Sequence, residues 1–206
     1  MIDYLVPHWA RSALVLVDVQ QDFVESVAGT RDVLPALVHL SEAFRAAGRP
    51  IVHVVRSYVA GESDVDLVRR ASIEAGHAPV RPGTVGAQIP AELLPGAVDL
   101  DWDLLRSGRP QEIGPGERVL YKPRWSAFHR TVLDDVLRTA GVDTVVVAGC
   151  NLPNCPRATL FDASERDYRT VLVADATSQV TDGRLADLEL IGTRLRSVDD
   201  VVRGLS

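Results

Sequence analysis

The chain has 206 residues, 46% of them hydrophobic and 24% charged, which suits one globular domain with a substantial core and excludes a disordered chain. A formal net charge of -6 argues against a general nucleic-acid binder, which carries a basic surface. No apolar stretch approaches the about 18 residues of a membrane span, residues 1–12 lack the pattern of a signal peptide, and two cysteines cannot build a disulfide framework. The expectation is a cytoplasmic protein with neither nucleic-acid nor membrane partners.

Ala13–Val17 is short and wholly apolar, and reads as a strand buried on both faces. Val33–Ala47 places Val33, Leu37, Leu40 and Phe44 at helical spacing, with Gly48 as a stop. Ile51–Val55 is a second buried strand, in which His53 reads as a packed residue rather than a ligand. Residues 57–116 hold most of the prolines and many glycines, including Arg81-Pro82-Gly83 and Gly114-Pro115-Gly116, and read as loops and short helices near a site. Val119–Tyr121 is a third strand. A helix over Thr131–Ala140 leads to a fourth strand, Thr144–Ala148, and a helix from about Pro156 to Asp167 leads to a fifth, Thr170–Val173. A helix over Arg184–Thr193 and a weaker strand, Arg194–Val198, end the series. This alternation predicts a three-layer α/β/α, Rossmann-like fold with a central, mainly parallel sheet. No repeat, low-complexity tract or convincing linker divides the chain, so residues 1–206 are expected to form a single domain.

Ligands of such sheets bind beyond the carboxyl ends of the strands. Three of the predicted strands deliver a reactive group there: Asp18 after the first, Lys122 after the third, and Cys155 in the loop after the fourth, where a helix begins. Lys122 is also the one lysine among 22 lysines and arginines. A compact ammonium does what a broad guanidinium cannot. A free thiol has a pKa of about 8.5 and attacks poorly until it loses its proton. A helix N-terminus and a nearby ammonium both favour the thiolate, and Pro156 suits the first turn of a helix. Asp18 is positioned in sequence to take the thiol proton and pass it to a leaving amine. Backbone N–H groups around Asn151 and Cys155 are candidates for an oxyanion hole. Phe23, Trp125, Phe128 and Arg56 are candidates for the substrate pocket, each with an equally good reading as a structural residue. Arg56, Arg124 and Arg157 are candidates for holding a substrate carboxylate, each with a solvated or structural reading at least as good. His129 offers a lesser Cys–His alternative, and Cys150 reads as a packing residue. No G-x-G-x-x-G follows the first strand, no P-loop is present, and no ligand spacing suggests a metal, so no cofactor is expected.

The run Gly149-Cys-Asn-Leu-Pro-Asn-Cys-Pro-Arg-Ala-Thr-Leu-Phe-Asp-Ala163 resembles the nucleophile segment of the isochorismatase-like cysteine hydrolases, roughly G-x-x-T-x-x-C-V-x-x-T-x-x-D-A. Leu16-Val-Asp-Val-Gln-Gln-Asp-Phe23 is similar to that family's first strand with its aspartate. Tyr121-Lys-Pro-Arg-Trp-Ser-Ala-Phe128 is similar to its lysine segment, and Pro82-Gly-Thr84 to a common upstream element. The resemblance covers nearly the whole chain in order. It implies a catalytic set of Asp18, Lys122 and Cys155, a cis peptide between Cys150 and Asn151, and a homodimer or homotetramer. It also implies hydrolysis of a C–N bond in a small carboxamide, N-carbamoyl or ureido compound. Leu152 stands where the family commonly has threonine, and Pro156 where valine is frequent. The nicotinamidase Asp-x-His metal site has no counterpart in Arg56-Ser-Tyr-Val. Two other functions stay open on the sequence: isochorismatase-type vinyl ether hydrolysis, which needs no thiol, and a non-catalytic binding or redox-sensing protein built on the same pocket.

Overall fold

The computed structural model describes residues 3–62 and 64–206. Seven strands form one sheet: β1 (Ser12–Val17), β2 (Ile51–Val55), β3 (Gln111–Gly114), β4 (Glu117–Tyr121), β5 (Thr144–Gly149), β6 (Arg169–Thr177) and β7 (Arg194–Arg196). Their order is β3-β4-β2-β1-β5-β6-β7. Every pairing is parallel except that of β3 with β4. β1 and β5 are buried along their whole length, as expected of strands covered on both faces.

The alternation of side chains along β1 divides the core. Leu14 and Leu16 face the layer of α2 (Leu34–Ala46) and α8 (Val198–Leu205), where they meet Leu37, Phe44 and Val201. Ala13, Val15 and Val17 face the opposite layer of α5 (Leu133–Thr139), α6 (Cys155–Ser164) and α7 (Asp182–Leu190), where they meet Leu137, Leu160 and Leu188. The remaining helices are short: α1 (Gln21–Ser26), α3 (Leu67–Glu74) and α4 (Trp102–Arg106).

The expected strands and helices are all present, with shifted ends. β6 runs on to Thr177 because its second half pairs with Gly149 after a register shift. Asp175 in that half is exposed and accepts the Val198 N–H at the start of α8. α5 begins two residues later than its pattern suggests, because Thr131 stays outside and its hydroxyl accepts the Leu133 N–H. α6 stops at Ser164 rather than running to Asp167, which adopts a left-handed φ of 60°. The strand expected at Arg194–Val198 ends at Arg196, because Ser197 and Asp200 form a reciprocal cap that opens α8.

His53 is a packed residue. Its Nε2 lies 2.6 Å from Glu117 Oε1, and Arg45 at the end of α2 grips the same carboxylate through Nε at 2.8 Å and Nη2 at 2.7 Å. Burial alone would push the Glu117 carboxyl up, but these bonds outweigh it and hold the pKa at about 2, against an ordinary 4.5. A folded-state value below the unfolded one means the carboxylate stabilises the fold above about pH 4.5, and this contribution fades as the pH falls toward 2. Glu117→Gln is therefore expected to cost about 3 kcal/mol at pH 7, since it leaves the Arg45 guanidinium without its buried carboxylate. The variant should also lose part of the acid-limb slope. Urea titrations between pH 2 and 7 check both, and parallel pH profiles for the two proteins would refute the assignment.

Candidate active site

Four neighbouring strands, in the spatial order β4-β2-β1-β5, release their chains at one edge of the sheet. Each contributes a functional group within a few residues of its carboxyl end. β1 contributes Asp18, held at a left-handed φ of 54° with its N–H donating to Val54 O at 2.8 Å. β2 contributes Arg56. β4 contributes Lys122, whose N–H donates to Val55 O at 3.0 Å. β5 leads through Gly149 to the loop that ends at Cys155. Gly149 has a φ of 117°, and a Cβ there would collide with the Val17 carbonyl, so the close turn from strand to loop requires glycine. The peptide between Cys150 and Asn151 is cis.

Lys122 is fully buried. Its Nζ donates to Asp18 Oδ2 at 2.8 Å and to the Arg124 carbonyl at 3.2 Å. Asp18 Oδ1 is also buried and has no hydrogen-bond partner among the described residues. One carboxylate oxygen is thus committed to the ammonium and the other is free to accept a proton. Cys155 opens α6, with Pro156 second in the helix. Burial pushes the Cys155 thiol up, the Asp18 charge adds to this, and Lys122 and Arg56 only partly oppose it. Desolvation and the facing carboxylate thus oppose the thiolate that the helix start and the ammonium favour. The backbone N–H groups of Asn151 and Cys155 make no hydrogen bond among the described residues.

Asp18, Cys155, Arg56 and Phe23 line a common cavity of about 50 Å³, together with Val27, Arg69, Cys150, Asn151 and Asn154. Cys150 is buried beside Cys155, and burial pushes its thiol up to about 12. Gln20 fixes the Arg56 backbone. Its Oε1 accepts the Arg56 N–H at 2.8 Å, and its Nε2 donates to the Arg56 and Ala87 carbonyls. Arg56 Nη1 then lies 4.0 Å from Cys155 Sγ, while Nη2 donates to Asp66 Oδ1 at 3.1 Å and to Pro123 O at 3.3 Å. Among the described residues, no group of His, Cys, Asp or Glu side chains is arranged to hold a metal ion.

The family model for the isochorismatase domain matches residues 12–192. The chain belongs to the isochorismatase family. Its mostly parallel sheet and helical layers are that family's fold: an isochorismatase family protein from Desulfovibrio vulgaris superposes with a TM-score of 0.77 and 34% identity, over 94% of this chain and 98% of that one. A curated relative, a probable inactive nicotinamidase of Arabidopsis thaliana, is 32% identical over 92% of this chain and 94% of its own length. A ureidoacrylate amidohydrolase of Methylobacterium radiotolerans is 30% identical over 82% of this chain and 68% of its own length.

Within this isochorismatase-family chain, the pocket candidates separate. Phe23 and Arg56 line the cavity with Cys155, whereas Phe128 packs in the core with its ring 5.8 Å from Tyr168. Trp125 and His129 line a different, open groove of about 390 Å³ with Asp66, Arg124, Ser126 and Asp162. Arg124 pairs with Asp64 at 2.7 Å, and Arg157 pairs with Asp187 at 3.2 Å on the surface. Neither guanidinium lines the cavity. Sequence reasoning missed Gln20, Asp66, Arg69 and Asn154. Gln20 sits inside the aspartate motif and was findable there, whereas Asp66 and Arg69 lie in a stretch with no periodic signal.

Proposed function

We propose that the protein is a cysteine-dependent hydrolase of a small carboxamide, N-carbamoyl or ureido compound, acting through a thioester at Cys155. The observation that carries this reading is the shared cavity: a thiol at a helix start faces a carboxylate whose second oxygen is tied to a buried ammonium. Named amidohydrolase relatives support the reaction class, among them the ureidoacrylate amidohydrolase above and an N-carbamoylsarcosine amidase of Arthrobacter at 27% identity. The word inactive in the Arabidopsis name describes that protein. The present chain has the thiol, the carboxylate and the ammonium.

The chemistry starts from a protonated thiol. As Sγ attacks the carbonyl carbon, the thiol proton passes to the free oxygen of Asp18, and Lys122 keeps that carboxylate oriented. The new oxyanion is received by the Asn151 and Cys155 N–H groups. Asp18 returns the proton to the nitrogen of the leaving group, the C–N bond breaks, and a thioester remains. Water then attacks the thioester, gives a proton to Asp18, and releases the acid. The thiolate that leaves takes the proton back.

A rapid acid quench of the enzyme during turnover of a slow amide, identified by ammonia release, is expected to leave a mass increase on the peptide carrying Cys155. The increase equals the acyl part of the substrate and disappears in Cys155→Ser. An aldehyde analogue of the same substrate should add to the same sulfur. Turnover with no modification of Cys155 by either reagent would refute the covalent route. No ammonia release across a broad amide and ureido panel would refute the hydrolase reading.

A further inference from the structure

The end of the sheet opposite Cys155 holds charges that do not cancel. Ser12, Thr144 and Arg169 open β1, β5 and β6 side by side, in register. The chain before β1 crosses this edge, with the His8 N–H donating to Thr144 Oγ1 at 3.0 Å. Asp143, just before β5, receives His8 Nδ1 at 2.9 Å, Arg11 Nη1 at 3.2 Å and Arg169 Nη1 at 3.4 Å, all on its Oδ2. One carboxylate oxygen thus serves two guanidinium groups and an imidazole. Arg169 Nε is buried with no partner among the described residues, and its Nη2 makes no hydrogen bond or ion pair among them. A buried donor left unused is costly unless something accepts from it. The open Nε and Nη2 form the edge through which a guanidinium holds a carboxylate by two parallel hydrogen bonds.

Arg169 lines a cavity of about 440 Å³ with Tyr4, Leu5, Ser164, Asp167 and Tyr168. Such a volume suits a small molecule. The wall made by Tyr4 and Leu5 is anchored on both sides: Asp3 pairs with Arg194 on β7, and Leu5 packs on Gly192, where a Cβ would stand 3.0 Å from Leu5 Cδ1. Tyr4 still leaves 71% of its surface exposed, an open aromatic face beside the cavity. Asp167 is exposed, and its carboxylate makes no ion pair or hydrogen bond among the described residues. It does not pair with Arg169, which lies two positions further along. One cation edge and one carboxylate are therefore both open, and two residues span at most about 7 Å of chain. A ligand that satisfies both carries a negative and a positive group a few bonds apart. An α-amino acid has that arrangement, and its side chain meets the tyrosine and leucine wall.

We propose that this cavity binds a free α-amino acid with an apolar or aromatic side chain, the carboxylate on Arg169, the ammonium on Asp167 and the side chain against Tyr4 and Leu5. The site lies at the far end of α6 from Cys155, a helix of 10 residues and so about 15 Å long, and it does not depend on the hydrolase reading. The probes are L-phenylalanine, L-leucine and L-tryptophan. Each is compared with the amine that lacks its carboxylate (2-phenylethylamine, isopentylamine, tryptamine) and with the acid that lacks its ammonium (3-phenylpropanoate, 4-methylpentanoate, indole-3-propanoate). None of these nine compounds has a C–N bond that a hydrolase could cleave, so titration calorimetry on the wild-type protein reads binding alone. At least one amino acid is expected to bind tenfold or more tightly than both of its analogues. Asp167→Asn keeps a residue that tolerates the left-handed φ of 60° and should bring the ratio of amino acid to acid close to one, leaving the preference over the amine in place. Arg169→Gln leaves Arg11 and His8 on Asp143 and should instead abolish the preference over the amine. A merely structural role for either residue would weaken all three ligands together and leave both ratios where they were. That outcome, or no amino acid preferred over both of its analogues, overturns the site.

Discussion

Cys155→Ala is expected to lower kcat by about a thousandfold or more, to the background that the oxyanion donors and binding alone sustain. The substitution removes the proposed attacking atom and very little volume. The Cys155 side chain packs in the core with Leu152 and Leu160, so the variant should keep its fold and lose at most about 1 kcal/mol of stability. Cys150→Ala is the matched control. It deletes a thiol lining the same cavity, but one that lies at the end of β5 rather than at the start of α6. It should retain most of the activity. Ammonia release by the two variants, with thermal unfolding as the check on folding, separates attack from packing. A tenth of the wild-type rate in Cys155→Ala, or equal losses at the two positions, would mean that the sulfur of Cys155 is not the nucleophile.

The alternation of apolar runs and periodic helices was sufficient to predict the parallel sheet, because a strand covered on both faces must be apolar throughout, as Thr144–Gly149 nearly is. It was not sufficient for β3. Gln111–Gly114 is a short, polar edge strand whose pairing with β4 depends on an antiparallel neighbour rather than on its own residues. The second half of β6 was hidden for a related reason, since Asp175 interrupts the apolar run in order to cap α8. The reactive groups at the strand ends were legible because topology alone carries Asp18, Lys122 and Cys155 to one edge. Arg69 and Asp66 were not. They lie at the start of a short helix between β2 and β3, Asp66 just before it and Arg69 within it, and only the folded chain of residues 57–116 sets them against Arg56. The aromatic candidates show the same limit from the other side. Phe23 and Phe128 are equally apolar in sequence, and one lines the cavity while the other fills the core.

Lys122→Arg is expected to reduce kcat by about a hundredfold or more despite keeping the charge, because each part of the Lys122 environment is fitted to an ammonium. The side chain is fully buried, and its Nζ makes bonds in two directions, to Asp18 Oδ2 and to the Arg124 carbonyl. A planar guanidinium is bulkier and presents its donors as a fork. Forcing it into this space costs about 1–3 kcal/mol and displaces the Asp18 carboxylate from the thiol. Lys122→Met tests the electrostatic half of the argument. It has similar volume and no charge, so it leaves the Asp18 carboxylate buried and unpaired, at a cost of about 3–5 kcal/mol. Adding Asp18→Asn to Lys122→Met removes the stranded charge as well. The double variant should therefore be more stable than Lys122→Met alone while remaining inactive. This combination separates a structural ion pair from a catalytic one, since stability returns and the acceptor for the thiol proton does not. Urea unfolding and ammonia release on the three variants read the two properties independently. Near-normal activity in Lys122→Arg would place Lys122 outside the chemistry. A double variant no more stable than Lys122→Met would show that the two side chains do not compensate each other's charge.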